Sequence, residues 1–474
     1  MSDYPRDLVG YGRVPPHAKW PGGARIAVQF VINYEEGGER NILHGDATSE
    51  AFLSEIPGAE PWPGQRHMNM ESIYEYGARA GFWRLWRLFT QAEVPVTVFG
   101  VATALQRNRE AVAAMREAQW EIASHGLKWI DYRHVEAHDE AADIARAIAL
   151  QTELTGERPL GFYQGRSSVN TLDLGAAEQG FVYLADAYAD DLPSWMAGPH
   201  GPQLIVPYTL DANDMRFAPG AGFTEGDQFF TYLKDSFDTL YEEGATQPKM
   251  LSVGLHCRLA GRPGRSAAVK RFLEYIARHD RVFVTTRLAI ARHWIATHPP
   301  RGGFQPSHMP RALFVEVFGG IYEHSPHIAE AAHRTGLGPD QDTAAGLADA
   351  LAQAAAAMTP AQKLALIQAH PDLAGKLVLA GDLTAPSGEE QASAGLDQLT
   401  PEERARFGAL NEAYRQKFAM PFVMAVRGTS KAAIMAAFEQ RLSQAPLEEQ
   451  ARALAEIDKI ARLRLEARWS TTSA

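Results

Sequence analysis

Residues 24–40 read ARIAVQFVINYEEGGER, and this stretch decides the fold class of the first part of the chain. The run ARIAVQFVIN is apolar and β-branched, which is typical of a strand buried on both faces. Glu35 and Glu36 follow directly after it, and Gly37 and Gly38 allow the backbone to turn there. Because α/β barrels place their active sites at the carboxyl ends of strands, we expect two carboxylates in a cleft.

Strand-like and helical segments alternate from this stretch onward as far as residue 300. VPVTVFGVA at 94–102 and KMLSVGLHCR at 249–258 predict strands, and ADIARAIALQTELTG at 142–156 predicts a helix ending at Gly156. Alternating strands and helices predict a parallel sheet or barrel that is covered by helices.

The segment PPRGGFQPSHMPRA at 299–312 interrupts this alternation, because it is rich in Pro and Gly and has no periodicity. Nearly every segment beyond it has helical spacing. Thr400, followed by Pro401 and by Glu403 three residues on, is a helix-start signal. The expected division is a first domain over 1–300, a linker over 301–311 and an all-α domain over 312–474.

Composition excludes several classes of protein. The chain has 474 residues, of which 46% are hydrophobic, so it can bury two sizeable cores. A formal net charge of −11 argues against nucleic acid or an anionic membrane as partner. Cys257 is the only cysteine, so no internal disulfide and no cysteine-built metal site is possible.

We find neither a signal-peptide core near residue 1 nor an apolar run of membrane-spanning length, and we expect a soluble cytoplasmic protein. The apolar helix around 350–358 would suit a subunit interface, and we expect a homo-oligomer.

Polar residues at four predicted strand ends could meet in one cleft: Glu36, His125 in SHGLKWIDY, Arg166 in FYQGRSSVNT and His256 in GLHCRLAGRPGR. Such a set suits hydrolysis, because one group can activate water while another stabilises the oxyanion that develops. An exposed Glu-Glu pair is more often solvated surface, and a lone His at a strand end is more often structural. The residues alone therefore leave a hydrolytic cleft and an unrelated set of structural side chains both open.

Several of these segments together resemble the polysaccharide-deacetylase (NodB-like) superfamily, and within it the allantoinase branch. NYEEGGE, LHGD at 43–46, HGLKWIDY and GLHCRLAGRPGR carry the resemblance, which extends over nearly all of residues 1–300. It implies an α/β fold, a distorted (β/α) barrel with fewer than eight full units. It also implies that this domain opens the hydantoin ring of allantoin to give allantoate.

The resemblance implies roles for the cleft residues. Glu36 would be the general base on water, with His125 or His256 as the acid. Arg166 would bind a ring carbonyl or the ureido group, and Trp129 is included among the substrate-binding residues.

The departures from the sugar-deacetylase pattern concern the metal. Those enzymes hold a divalent metal with an Asp and two His residues spaced i, i+4. Here the acidic pair is Glu35-Glu36, and the position four after His125 is Trp129, which cannot ligate, so a tight site lacks a protein ligand. We expect metal-free hydrolysis without a cofactor. A metal-dependent N-deacetylase and a non-catalytic ureide-binding scaffold are the alternatives.

A second candidate site lies in IQAHPDLAGKLVLAGDLTAPSGEEQASAGL at 367–396. Pro371 stops a predicted helix at His370, which fixes the histidine rigidly. Glu390 and Gln391 form the other polar pair, with Glu390 three residues after Ser387. A capping box for Glu390 and a dipole-favoured position at a helix end for His370 are equally good explanations from the residues alone.

The second half of the chain resembles the 2-oxo-4-hydroxy-4-carboxy-5-ureidoimidazoline (OHCU) decarboxylase family, over residues 311 to about 470. FGGIYEHSP, HPDLAGKL, SGEEQASAGL, LNEAYRQKFAMPFVMAVRG and IDKIARLRL carry the resemblance, in that order. It implies an acid/base role for His370, a bond from Glu390 to the ring or hydroxyl, and one from Gln391 to the ureido group or ring amide. The other implied contacts are Arg464 on the substrate carboxylate, Pro371 and Phe422 in the pocket wall, and Arg427 as a second choice.

The two resemblances meet at one metabolite. A decarboxylase that yields (S)-allantoin would supply the substrate of the allantoinase, so the chain is expected to be a bifunctional enzyme of urate breakdown. Its expected partners are the small molecules OHCU and allantoin, with no cofactor for either reaction.

Overall fold

The computed structural model describes residues 6–218, 222–373, 387, 394, 396 and 399–472. Contacts divide the chain into two compact units, Met1–Pro300 and Arg301–Ala474. Glu390 and Gln391, predicted to bind the ligand of the second site, lie outside the described residues.

A mostly parallel sheet forms the centre of the first unit. Within the described residues its strands are β1 (Ile26–Tyr34), β2 (Val96–Gly100), β3 (Glu121–Ser124), β4 (Gly161–Phe162), β5 (Tyr183–Leu184), β6 (Ser194–Gly198), β7 (Gly201–Ile205), β8 (Lys249–His256) and β9 (Val282–Val284). Their order is β6-β7-β5-β4-β3-β2-β1-β8, and β9 also pairs with β1. The β6–β7 hairpin is antiparallel, while every other pairing is parallel. The predicted α/β fold of distorted-barrel type is confirmed.

Every residue of β1 is buried, as its unbroken apolar pattern predicts. Helices cover the sheet: α1 (Met68–Tyr76), α2 (Phe82–Gln91), α3 (Ala102–Arg107), α4 (Arg109–Glu117), α5 (Ala137–Thr155), α6 (Thr171–Ala177), α7 (Gly226–Glu243), α8 (Pro263–Ile276) and α9 (Arg287–Thr297). As predicted, α5 ends at Gly156, whose φ of 80° favours glycine.

A π-helical turn, Gly77–Gly81, joins α1 to α2. Gly81 lies against the strand end that carries the site. A Cβ atom at Gly81 would lie 1.9 Å from the carbonyl oxygen of Cys257, so only glycine permits this close approach.

The second unit is all-α over its described residues, as predicted. Its helices are α10 (Arg311–Phe318), α11 (Pro326–Arg334), α12 (Ala344–Ala356), α13 (Pro360–Gln368), α14 (Pro401–Phe418), α15 (Lys431–Arg441) and α16 (Pro446–Thr472). The predicted capping box opens α14: Glu403 N donates to Thr400 Oγ1 at 3.2 Å, and Thr400 N donates to Glu403 Oε2 at 3.0 Å. Ser307, in the expected linker, donates from its backbone N to Asp342 Oδ1 at 2.8 Å.

Across the part of the chain that the structure describes, no helix has the length and apolar character needed to cross a lipid bilayer.

Candidate active sites

The carboxyl ends of three parallel strands bring four predicted residues together in the first unit. Glu35 and Glu36 follow β1, His125 follows β3, and His256 is the last residue of β8. All four side chains are buried. The parallel pairing of β8 with β1, of β1 with β2 and of β2 with β3 places these strand ends at one edge of the sheet, as expected.

Glu35 lies at the centre of this cluster. Its Oε1 is 3.3 Å from His256 Nε2 and 3.4 Å from His125 Nε2. Its Oε2 is 2.6 Å from Nη1 of Arg258, which is fully buried. The resemblance implied the general-base role for Glu36, whereas Glu35 is the carboxylate that contacts both histidines.

Glu36 faces a different direction. Its Oε1 accepts the backbone N–H of Arg258 at 3.2 Å, and its Oε2 accepts the N–H of Glu35 at 3.2 Å. A Cβ atom on Gly77 would lie 2.3 Å from Glu36 Oε1, so the π-helical turn packs directly on this carboxyl group. Burial raises the pKa of Glu36 to about 7, despite the opposing charge of Arg258.

The charges of Glu35 and His256 stabilise each other. Burial by itself would raise the pKa of Glu35, but Arg258 and His256 outweigh burial and hold it well below its usual range. Burial would lower the pKa of His256, but Glu35 and Asp214 raise it to about 9. At neutral pH the pair is therefore a carboxylate beside an imidazolium.

Asp214, which was not predicted from the sequence, orients His256. Asp214 Oδ1 is 2.6 Å from His256 Nδ1, while its Oδ2 accepts the backbone N–H groups of His256 at 2.7 Å and Ala260 at 2.8 Å. Asp214 is fully buried in a 3-10 turn, Asp214–Phe217. The available signal was its place shortly after the strand-like segment LIVPYTL.

His125 is held by the strand beside it. Its Nδ1 lies 2.9 Å from the carbonyl oxygen of Tyr163, and its ring stacks on the Tyr163 ring with centroids 5.0 Å apart. Because a carbonyl oxygen only accepts, Nδ1 carries the hydrogen and Nε2 faces Glu35.

Arg166 approaches this cluster at the Trp129 ring. The guanidinium carbons of Arg166 and Arg258 each lie 5.0 Å from the Trp129 ring centroid. Arg166 Nη1 also donates to Glu50 Oε2 at 3.1 Å. Glu50 is also buried and, like Asp214, was not predicted from the sequence.

In the second unit His370 follows α13 and is buried. Its Nδ1 lies 2.9 Å from the carbonyl oxygen of Leu366, so Nδ1 carries the hydrogen. Nε2 is then the nitrogen that can take up or release a proton. Pro371 follows directly and ends the helical turn, as the sequence predicts.

Arg464 of α16 lies in a buried network with Glu323 and Ser387. Its Nη2 is 3.0 Å from Glu323 Oε2 and 3.1 Å from Ser387 Oγ, and its Nη1 donates to Ile321 O at 3.3 Å. Ser387 Oγ donates to the same Glu323 oxygen at 2.8 Å. The Arg464 side chain is therefore a buried cation with fixed partners. An arginine in this sequence context is more often an exposed charge on a helix surface.

The Phe422 side chain belongs to the core of the second unit. It is 1% exposed, and its ring stacks on Phe438 with centroids 3.6 Å apart. Arg441 Nη1 donates to Val423 O at 2.8 Å, and Ala425 N donates to Glu456 Oε2 at 2.8 Å. The segment 422–425 is thus fixed from both sides, and any ligand contact at Phe422 would come from its backbone.

Two family models match the chain, polysaccharide deacetylase over residues 70–181 and OHCU decarboxylase over residues 307–466. A Schizosaccharomyces pombe protein provisionally named a polysaccharide deacetylase is 42% identical over 317 residues, which cover 62% of this chain and 98% of the relative. The OHCU decarboxylase of Haloferax volcanii is 40% identical over 158 residues, which cover 33% of this chain and 90% of the relative. This chain belongs to both families.

The polysaccharide deacetylase unit is also similar to a solved structure, that of PuuE allantoinase. The two are 58% identical with a TM-score of 0.62, and the match covers 63% of this chain and all of the allantoinase chain. The cluster around Glu35 lies within this unit.

The polysaccharide deacetylase unit does not present the metal-binding set of the sugar deacetylases. Among the described residues, no group of three or more His, Cys, Asp or Glu side chains is placed to hold a metal ion. Trp129 stands at the position of the second histidine, and Glu36 is bonded to the backbone at Arg258. The donor set therefore does not fit a tightly bound metal.

Proposed function

We propose that the chain carries out two consecutive reactions of urate breakdown. The OHCU decarboxylase unit converts OHCU to (S)-allantoin, and the polysaccharide deacetylase unit hydrolyses allantoin to allantoate. The observation that carries the second assignment is 58% identity to PuuE allantoinase over that protein's whole length, combined with a buried carboxylate between two histidines. The substrates are small molecules.

For the hydrolytic step, we assign the general base to Glu35 and the general acid to His256. Arg258 and His256 keep Glu35 ionised, so it can accept a proton from the attacking water. A pKa of about 9 keeps His256 protonated at neutral pH, so it can donate to the ring nitrogen that leaves the opened carbonyl. Glu36 is assigned a positioning role, because it accepts the backbone N–H of Arg258.

His125 and Arg166 take supporting roles in this assignment. His125 Nε2 faces the same Glu35 oxygen as His256, so the His125 ring helps to position that carboxylate. Arg166 and Trp129 form one wall, where the ureido group of the substrate would lie.

For decarboxylation, Arg464 would orient the substrate carboxylate, because the buried network with Glu323 and Ser387 fixes its guanidinium. Loss of carbon dioxide leaves an electron pair that the adjacent ring system takes up. His370 then delivers a proton to the same carbon from Nε2, which gives one configuration of the product. Glu390 and Gln391 remain sequence-based predictions.

One experiment tests both steps. Freshly generated OHCU is given to the purified chain, and carbon-13 NMR follows allantoin and allantoate over time, with and without a chelator. We expect allantoin and then allantoate, unchanged by the chelator. His370→Asn should block the first reaction while supplied allantoin is still hydrolysed, and Glu35→Gln should let allantoin accumulate. Undiminished allantoate formation by Glu35→Gln would overturn the assignment of the base.

Three further proposals rest on the sequence alone. They are the domain limits 1–300, 301–311 and 312–474, localisation in the cytoplasm, and a homo-oligomeric state. Light scattering on the purified chain tests the last of these.

A further inference from the structure

Arg258 is a completely buried cation at the centre of the first unit's site. Its Nη1 lies 2.6 Å from Glu35 Oε2 and 3.7 Å from Glu36 Oε1, so one guanidinium serves both carboxyl groups. Its Nε donates to the carbonyl oxygen of Leu53 at 3.3 Å. Burying a guanidinium costs free energy unless it is paired with an anion. The Arg258 guanidinium and the two carboxyl groups therefore stabilise each other in this buried site.

Two aromatic rings pack against this guanidinium. The carbon at its centre lies 4.4 Å from the Tyr74 ring centroid and 5.0 Å from that of Trp129. Both rings are buried, so they exclude water from the cation and strengthen its attraction to Glu35. Arg258 is therefore held by Glu35, Glu36 and the Leu53 carbonyl oxygen together with the two aromatic rings.

The position of this cation bears on metal binding. Glu36 and Trp129 occupy two of the three positions that carry metal ligands in the sugar-deacetylase pattern, and the guanidinium contacts both. A divalent ion bound at Glu36 would lie within a few ångströms of the guanidinium in a dry site, where like charges repel strongly. A metal ion and Arg258 would therefore exclude each other.

We propose that Arg258 is the resident cation of this site: a positioning residue that aims Glu35 at the two histidines and prevents a divalent metal from binding between Glu36 and His125. The kinetic part of this inference rests on the proposed allantoin hydrolysis. The metal part does not, because it concerns the charges of the site alone.

Zinc binding tests the inference without any substrate. Trp129→His restores the i, i+4 histidine pair, and Arg258→Met removes the cation at similar side-chain length. Zinc content is measured after equilibrium dialysis of the full-length variants. We expect little zinc in the wild type and in Trp129→His, and about one equivalent in the double variant. Zinc retained by Trp129→His as well as by the double variant, or a folded double variant that binds none, overturns the proposal.

A matched control removes the other arginine that stacks on Trp129. Arg166→Met combined with Trp129→His deletes a cation at the same 5.0 Å from that ring, but one that contacts neither Glu35 nor Glu36 among the bonds described. We expect this double variant to bind no more zinc than Trp129→His alone. Equal zinc in both double variants would show that any loss of positive charge suffices, and would also overturn the proposal.

Chemical rescue provides a second readout, which does not depend on the double variants. Arg258→Ala should lose about 100-fold in kcat on allantoin, and added guanidinium should restore part of it. Sodium chloride at equal ionic strength should restore none. Full activity of Arg258→Ala, or rescue by either salt alike, contradicts the role of Arg258. If the wild type hydrolyses no allantoin, the proposed function is wrong. The zinc comparison would still test whether Arg258 prevents a metal ion from binding.

Discussion

Asp214 Oδ1 lies 2.6 Å from His256 Nδ1, on the opposite side of the imidazole from Glu35, whose Oε1 is 3.3 Å from Nε2. The ring is thus held between two buried carboxylates, and the pKa of His256 rises to about 9 even though burial alone would lower it. The same contact presents Nε2 to the reaction centre in a fixed direction. Asp214 therefore fixes the orientation of the ring, and together with Glu35 it sets the protonation state of His256.

The first prediction concerns the pH dependence of hydrolysis. If protonated His256 is the acid, kcat should fall as pH rises through about 9. Asp214→Asn removes one of the two negative charges that raise this pKa, so the basic limb should move to lower pH and kcat should fall by about 100-fold or more. A pH–rate profile from 6 to 10 measures both effects. A basic limb that stays in place in Asp214→Asn would exclude His256 as the titrating acid.

The second prediction separates the two adjacent carboxylates. Glu35→Gln should lower kcat/KM on allantoin by about 1000-fold, because it removes the base from between the histidines. Glu36→Gln keeps an acceptor oxygen for one of the two backbone N–H groups and should cost much less. Steady-state kinetics on supplied allantoin measure both, and the reverse order of the two losses would return the base role to Glu36.

The third prediction concerns stability and Glu36. Its folded pKa of about 7 lies above the ordinary value of 4.5, so the folded state binds its proton more tightly than the unfolded state. Stability is therefore lost as pH rises from about 4.5 through 7, by an amount on the order of 3 kcal/mol. Glu36→Gln removes this titration. Urea unfolding at pH 5 and pH 8 should show a smaller difference for Glu36→Gln than for the wild type, and an unchanged difference would contradict the assignment.

The fourth prediction concerns the close approach of Gly81 to the strand end at Cys257. Gly81→Ala would place its Cβ 1.9 Å from the Cys257 carbonyl oxygen, so the backbone must shift, at a cost of about 1–3 kcal/mol. Because Arg258 is the next residue, activity on allantoin should fall as well. Gly264→Ala in α8 is the matched control, since its Cβ would meet no atom within 4 Å. Thermal melts and allantoin assays on both variants provide the comparison.

The fifth prediction concerns Glu323 in the decarboxylase unit. Glu323→Ala removes the carboxylate that lies 3.0 Å from Arg464 Nη2, and loss of one member of a buried pair costs about 3–5 kcal/mol. Glu323→Gln keeps the shape of the side chain and should fold, but it should change KM for OHCU because the orientation and charge balance of Arg464 change. Glu330→Gln, exposed on α11, is the control. Equal KM values for OHCU in the wild type, Glu323→Gln and Glu330→Gln would contradict a positioning role for Glu323.

The sequence by itself determined the class of each unit and the position of the strand ends that carry polar residues. The apolar run before Glu35, the helix ending at Gly156 and the capping box at Thr400 each depend on a few adjacent residues, so local pattern was sufficient. It missed β6, whose residues are mostly half-buried and give no alternation, and α7, although Phe229, Leu233 and Phe237 repeat every four residues.

Only the tertiary structure decided which side chains meet. The choice between Glu35 and Glu36, the bond from Asp214 to His256 across 42 residues, and the link from Arg258 to Glu36 across 222 residues all follow from strand register and loop paths. In the second unit the pairing of Arg464 with Glu323 spans 141 residues. Local periodicity contains no information on such contacts, because a carboxylate at a strand end has the same sequence pattern whichever cation it faces.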